Sequence, residues 1–242
     1  MSTQRLRIAI AGNSNSGKTT LFNALTGAHH KVGNYPGVTV EKREGVMSRS
    51  GRQYRLIDLP GIYGLTVYAI DEVTARDFIL DEKPDTIVDV LDSTSLEHNL
   101  YLCLQFQELG VPVIGALNMT DEAEAKGIKI NEKTLSASLG VPMVKTVSTK
   151  GISMDALLDC IDALYDGGFR KPPHTVTYGA EIESKLEGLQ EPAHRLAVKL
   201  LEKGTYARLK EHPYDQEIES FAKEAPLFKA KSGGYEIVQK SA

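Results

Sequence analysis

The chain has no tryptophan, only two cysteines in 242 residues, and 7% aromatics. So few cysteines exclude a disulfide-stapled scaffold, and Cys103 and Cys160, far apart and each in an apolar helical pattern, read as buried thiols. No stretch approaches the ~18 consecutive apolar residues of a membrane span, and residues 1–7 lack the apolar core of a signal peptide. Positive charge is not in excess: the formal net charge is -4, which leaves no electrostatic footprint for nucleic acid. What remains, 41% hydrophobic and 25% charged residues, is the composition of a soluble globular protein, long enough for one α/β domain and a small appendage.

Against that plain background three motifs stand out in order. Gly12-Asn13-Ser14-Asn15-Ser16-Gly17-Lys18-Thr19 fits G-x-x-x-x-G-K-[ST] and directly follows the apolar run 6–11. A buried strand, a glycine-rich turn and a helix aim backbone N–H groups and the positive end of a helix dipole at one point, which suits phosphate. Lys18 supplies a cation for the β- and γ-phosphates, Thr19 a hydroxyl for Mg²⁺, and the N–H of Thr20 opens the helix beside them. Asp58-Leu59-Pro60-Gly61 follows a second apolar strand, so that Asp58 fits an acid that holds Mg²⁺, while side-chain-free Gly61 admits the γ-phosphate to its N–H. Asn118-Met119-Thr120-Asp121 follows a third. A carboxylate there accepts from guanine N1 and N2, a donor pair adenine lacks, so Asp121 selects GTP and GDP; Asn118 bonds the base and ties its loop to the phosphate loop. Ser148, Thr149 and Lys150 form the candidate loop for guanine O6.

Strand-like and helix-like segments alternate from residue 6 to about 166: strands at 6–11, 38–47, 53–57, 86–91, 111–117 and 143–147, and helices at 19–27, 96–104 and 154–165. The expected fold class is α/β, a P-loop NTPase of the Ras-like G-domain type, with a mostly parallel sheet covered by helices on both faces and an antiparallel edge made by 38–57. Residues 1–167 form this domain, 168–173 a linker, and 174–242 a small all-helical domain whose last segment reads as if the natural chain continued.

Between the first two motifs, Gly37-Val38-Thr39 closes a loop of turn residues. Thr39 either places its hydroxyl on Mg²⁺ and its N–H on the γ-phosphate, or simply starts a strand. Ile62 stands where many GTPases have a glutamine that orients water, and no arginine is an evident built-in finger, so slow hydrolysis is expected. Asn15 offers an amide oxygen that would help hold K⁺ against the phosphates, in the place of a missing arginine charge; its alternative is a loop-stabilising hydrogen bond. His29-His30 is a poor chelate, and Asp121-Glu122-Ala123-Glu124 reads as a charged first helical turn.

Taken together, Gly12-Asn13 through Asn23, the stretch Val32-Gly33-Asn34-Tyr35-Pro36-Gly37-Val38-Thr39-Val40-Glu41, Asp58 through Tyr63, Leu96 through Leu102, and Ala116 through Asp121 resemble the cytosolic amino-terminal domain of the FeoB family, the bacterial ferrous iron transport protein B. The resemblance covers 6–166. It implies a K⁺-stimulated GTPase, dependent on Mg²⁺, that regulates Fe²⁺ uptake by a polytopic membrane domain at the cytoplasmic face of the bacterial inner membrane. It also implies Asn15 on K⁺, Thr39 on Mg²⁺ in a first switch, residues near 58–75 in a second switch, and a possible homo-oligomer. Ser14 replaces the family's usual Pro and Thr149 a common Ala; Met119, in place of the lysine of small GTPases, is typical and implies modest affinity with fast GDP release. The alternatives are a nucleotide-gated binding module with negligible turnover, and a translation- or tRNA-associated GTPase, which the acidic balance disfavours.

Overall fold

The apolar run near the amino terminus becomes the central strand of a sheet, as burial on both faces demands. A computed structural model describes residues 5–27, 30–65, 69–167, 227–231 and 234–238. The chain divides into two units, Met1–His174 and Thr175–Ala242.

In the first unit β1 (Arg5–Gly12), β2 (His30–Asn34), β3 (Glu41–Arg49), β4 (Arg52–Asp58), β5 (Thr86–Asp92), β6 (Val113–Asn118) and β7 (Met143–Lys145) form one sheet in the order β2-β3-β4-β1-β5-β6-β7. The pairs β1–β4, β1–β5, β5–β6 and β6–β7 are parallel; β2–β3 and β3–β4 are antiparallel. The helices are α1 (Lys18–Thr26), α2 (Ile70–Glu82), α3 (Leu96–Glu108), α4 (Thr120–Ala125), α5 (Glu132–Leu139) and α6 (Met154–Asp166).

Period-two alternation along the strands sorts the core onto two faces. On one, Leu21, Phe22 and Leu25 of α1 and Leu157, Leu158 and Ile161 of α6 close over Ile8, Ile10, Val88, Val90 and Ile114. Each such side chain, taken fully out of water, contributes roughly 1.5–3 kcal/mol. α3 packs on β1, β5 and β6 and buries Leu102, Cys103 and Phe106. Both cysteines are free; Cys103 is buried and Cys160 half-buried. Arg49 pairs with Asp155, Asp159 and Asp162, and Arg52 with Asp162 and Asp166, so the β3–β4 hairpin is strapped to α6.

Three departures from the sequence reading have physical causes. The antiparallel edge holds three strands, because residues 30–34 pair with β3 although nearly all are exposed and none follows a buried alternation. The strand expected from residue 38 starts at Glu41; residues 35–40 instead fold back on themselves, with the Tyr35 N–H donating to Val40 O (3.0 Å) and the Val38 N–H to Tyr35 O (3.3 Å). In the second unit the described residues are not helical. β8 (Leu227–Lys231) and β9 (Gly234–Val238) pair antiparallel, so the all-helical expectation fails over 227–231 and 234–238. The linker expected at 168–173 lies outside the described residues, as does the remainder of the helical stretch through 226. Among the described residues no helix is long and apolar enough to cross a membrane.

Candidate active site

The carboxyl ends of β1, β4 and β6 deliver the three motifs to one edge of the sheet, where β1 lies between strands whose connections run in opposite directions. Gly12 ends β1, Asp58 ends β4 and Asn118 ends β6. An open pocket of about 290 Å³ forms there, lined by Ser14, Asn15, Lys18, Thr19, Glu41, Arg43, Asp58, Leu59, Pro60 and Gly61.

The floor is the loop into α1. No side chain caps α1 and its first turn holds no acid, so its leading N–H groups point into the pocket without an internal acceptor, the arrangement that receives anions. By contrast the Asn131 side chain accepts from the Thr134 N–H and closes the start of α5. Lys18, buried, donates from Nζ to Asn13 O at 2.7 Å. Burial pulls its pKa down, against the pull of Asp58 and Asp89. The Thr19 hydroxyl donates to Asp58 Oδ2 at 3.0 Å. Burial raises the Asp58 pKa, opposed by that hydrogen bond and by Lys18. Asp58 Oδ1, Asn13 Oδ1 and Ser16 Oγ are buried with no hydrogen-bond partner. A buried carboxylate oxygen left open beside a threonine hydroxyl is an oxygen donor set that suits Mg²⁺. Gly61 approaches so closely that a Cβ would stand 2.8 Å from Ser14 Oγ and 3.1 Å from Lys18 Nζ.

The base end is built differently. Asn118 Nδ2 donates to Ser16 O at 2.9 Å, and its Oδ1 accepts from the Ser148 N–H at 3.0 Å and the Ser148 hydroxyl at 2.8 Å. One buried amide therefore joins the phosphate loop, its own loop and the Ser148 turn. Gly17, at φ +92°, leaves room for it: a Cβ there would collide with Asn118 Nδ2, which its hydrogen bonds hold in place. Met119, at φ 58°, turns the chain into α4. Asp121 pairs with Lys150 at 2.7 Å, and that hydrogen bond holds its carboxyl below the usual range. Thr149 and Lys150 are exposed beside buried Ser148.

Not every expected residue reaches the pocket. Thr39 is exposed in the 35–40 loop with Gly37 and half-buried Val38, and none of the three lines the pocket; Thr20 is exposed on α1. Asn15 does line it, in the left-handed region (φ 66°) that asparagine tolerates. Its side chain makes no hydrogen bond among the described residues. Ile62 is buried, its N–H donating to Gly12 O.

A sequence profile described as ferrous iron transport protein B matches residues 6–161. The chain belongs to the FeoB family. The Fe(2+) transport protein A/Fe(2+) transporter FeoB fusion protein of Porphyromonas gingivalis is 43% identical over 211 residues, covering 81% of this chain and 25% of that protein. The Fe(2+) transporter FeoB of Escherichia coli K12 is 49% identical over 163 residues, 66% of this chain and 21% of that protein. This FeoB-family chain thus spans a quarter or less of the curated relatives it matches. Its fold matches the cytosolic domain of T. maritima FeoB in a GDP form with a TM-score of 0.79, at 35% identity, covering 91% of this chain and 86% of that one.

Four residues in or around the pocket of this FeoB-family chain escaped the sequence reading. Tyr35 is buried, stands edge-on to Phe78 of α2, and donates from its hydroxyl to the Asp58 carbonyl at 3.3 Å. Burial, with Asp58 nearby, pushes its pKa well up. Gln105 of α3 accepts from the Leu65 N–H at 2.7 Å, holding the segment after Gly61. Asp89, wholly buried on β5, adjoins the Cys103 thiol, yet neither carboxyl oxygen gains a hydrogen bond of good geometry; burial pushes its pKa up to about 8. Arg43 lines the pocket, an arginine beside the site where the sequence showed no evident built-in finger. The first three carried a signal of sorts, an acid in an apolar strand being the clearest; Arg43 carried none without the strand register.

Proposed function

We propose that this chain is the G domain of a ferrous iron transporter, binding GTP and GDP with Mg²⁺, hydrolysing GTP slowly with stimulation by K⁺, and regulating Fe²⁺ uptake by a membrane domain. The observation that carries the reading is the unsatisfied phosphate end: an uncapped helix, a buried lysine and an open Asp58 oxygen converge where only an anion with its cation would complete them. The T. maritima relative solved with GDP supports the choice of nucleotide.

In this reading the N–H groups opening α1 and the Lys18 ammonium hold the β- and γ-phosphates, and the Gly61 N–H receives a γ-phosphate oxygen. Thr19 and Asp58 would hold Mg²⁺, with Thr39 joining them if the 35–40 loop turns toward the pocket; the ion would neutralise charge on the phosphates. Asn15 would hold K⁺. Asp121 accepts from the guanine edge, Met119 packs near the base, and the Ser148–Lys150 turn presents N–H groups to O6. Water attacks the γ-phosphorus in line, and with Ile62 buried no side chain at that position orients it, hence slow turnover.

Phosphate release under multiple turnover, with GTP and with ATP, in K⁺ and in Na⁺, tests this. Release from GTP alone, faster in K⁺, is the expected result. Calorimetry that finds GDP and ADP bound equally, or neither bound, overturns it; equal rates in the two salts remove the K⁺ assignment only.

A further inference from the structure

β3 runs antiparallel to β4 in a register that sets Arg43 directly opposite Asp58. Directly opposed residues project to the same face of an antiparallel pair and stand close enough to interact. The result is a guanidinium in the phosphate pocket, next to Thr19, Lys18 and Gly61, whose charge acts on Asp58. Glu41, two residues earlier and so on the same face, holds it through a short Nε–Oε1 contact. That contact uses one of five N–H donors. The two Nη groups make no hydrogen bond among the described residues, and the side chain is 34% exposed, so it reorients at little cost.

The other pocket cation is differently placed. Lys18 is buried and already donates to Asn13 O at 2.7 Å. The four charged side chains of the pocket, Lys18, Arg43, Asp58 and Glu41, balance one another before any ligand arrives. A triphosphate adds one more negative charge than a diphosphate, at the Asp58–Gly61 side. A mobile, mostly unused fork is the group suited to meet it, since guanidinium matches phosphate oxygens in pairs.

We infer that Arg43 reads the terminal phosphate: it leaves Glu41 for the γ-phosphate of a bound triphosphate, and so separates the triphosphate state from the diphosphate state. This rests on the nucleotide reading above. Glu41 is then the resting partner that keeps the guanidinium at the pocket mouth when the terminal phosphate is absent. An isolated glutamate–arginine pair on a strand surface contributes little to stability, so its placement inside the pocket is not explained by folding alone.

The test uses the full chain and its Arg43→Gln, Arg43→Lys and Glu41→Gln variants, with calorimetric Kd values for GDP and for a non-hydrolysable GTP analogue, and single-turnover GTP hydrolysis. Arg43→Gln is expected to weaken the analogue about tenfold, leave GDP within about twofold, and slow hydrolysis at saturating GTP by about tenfold or more. Arg43→Lys restores part of the affinity but less of the rate, since the charge returns without the fork. Glu41→Gln tightens the analogue relative to GDP. Thermal unfolding of Arg43→Gln stays at the parent value. If Arg43→Gln weakens both nucleotides equally, or neither, while the parent binds both, the inference falls and the nucleotide reading stands. A parent chain that binds neither nucleotide sinks both.

Discussion

The two ends of the site solve opposite problems. The base end is finished before any ligand arrives: the Asn118 amide has a donor and an acceptor partner in two other loops, and Asp121 is paired with Lys150. The phosphate end is left unfinished, with buried oxygens on Asn13, Ser16 and Asp58 that meet nothing, and a helix start with no cap. Unpaired buried polar groups cost free energy, and so does a buried lysine. On the proposed reading, the first end is scaffolding that meets the base with its own bonds already made. The second stores a deficit that, on the proposed reading, a bound phosphate and its cation would remove.

Substitutions at the two ends should therefore separate affinity from stability. Lys18→Ala should weaken GDP binding ~100-fold, about 3 kcal/mol for a charged phosphate contact, while lowering the melting temperature little. Asn118→Ala leaves the Ser148 donors and the Ser16 carbonyl unpaired and should cost ~2–3 kcal/mol of stability as well as nucleotide affinity. Calorimetry paired with thermal unfolding checks both; equal losses of melting temperature would erase the contrast.

Asp89 gives a pH handle behind the unfinished end. Its carboxyl titrates near 8 in the fold, against about 3.9 in an unfolded chain, so the folded state holds that proton more tightly. The stability it contributes is whole below pH ~4 and drains away as pH climbs through ~8. Asp89→Asn keeps the shape without the charge. It should flatten the melting temperature between pH 5 and 8 and raise it at pH 8 by roughly 10 °C or more. A variant that melts with the parent's pH slope would show that another group sets it.

The smallest effect belongs to Lys150. Its bond to Asp121 is a surface pair, 59% and 35% exposed, and such pairs contribute ~1 kcal/mol or less. Lys150→Ala should change GDP affinity by about threefold at most, and by less in high salt.

Much of this was legible in the sequence because three buried strands end in loops of unmistakable residue type. Apolar runs marked β1, β4 and β6, and the motif residues fell at their ends. What stayed hidden lacked a local pattern. β2 is exposed along nearly its whole length, and α5 buries no residue, so neither writes a periodic stripe. α2 mixes Thr74 and Arg76 with Phe78 and Ile79 on its buried side, which blurs the amphipathic signal. Arg43 and Asp58 are distant in the chain and become neighbours only through an antiparallel register, which no spacing rule announces.

At position 17 the backbone carries a hydrogen where any other residue would carry carbon, and the pinned amide of Asn118 occupies that very space. On the proposed reading, grip on the phosphates and choice of base are thus locked together by an atom that is not there. Drift at this one position would not merely loosen a turn; it would push apart two recognition events separated by about a hundred residues of chain, and selection on either would guard both.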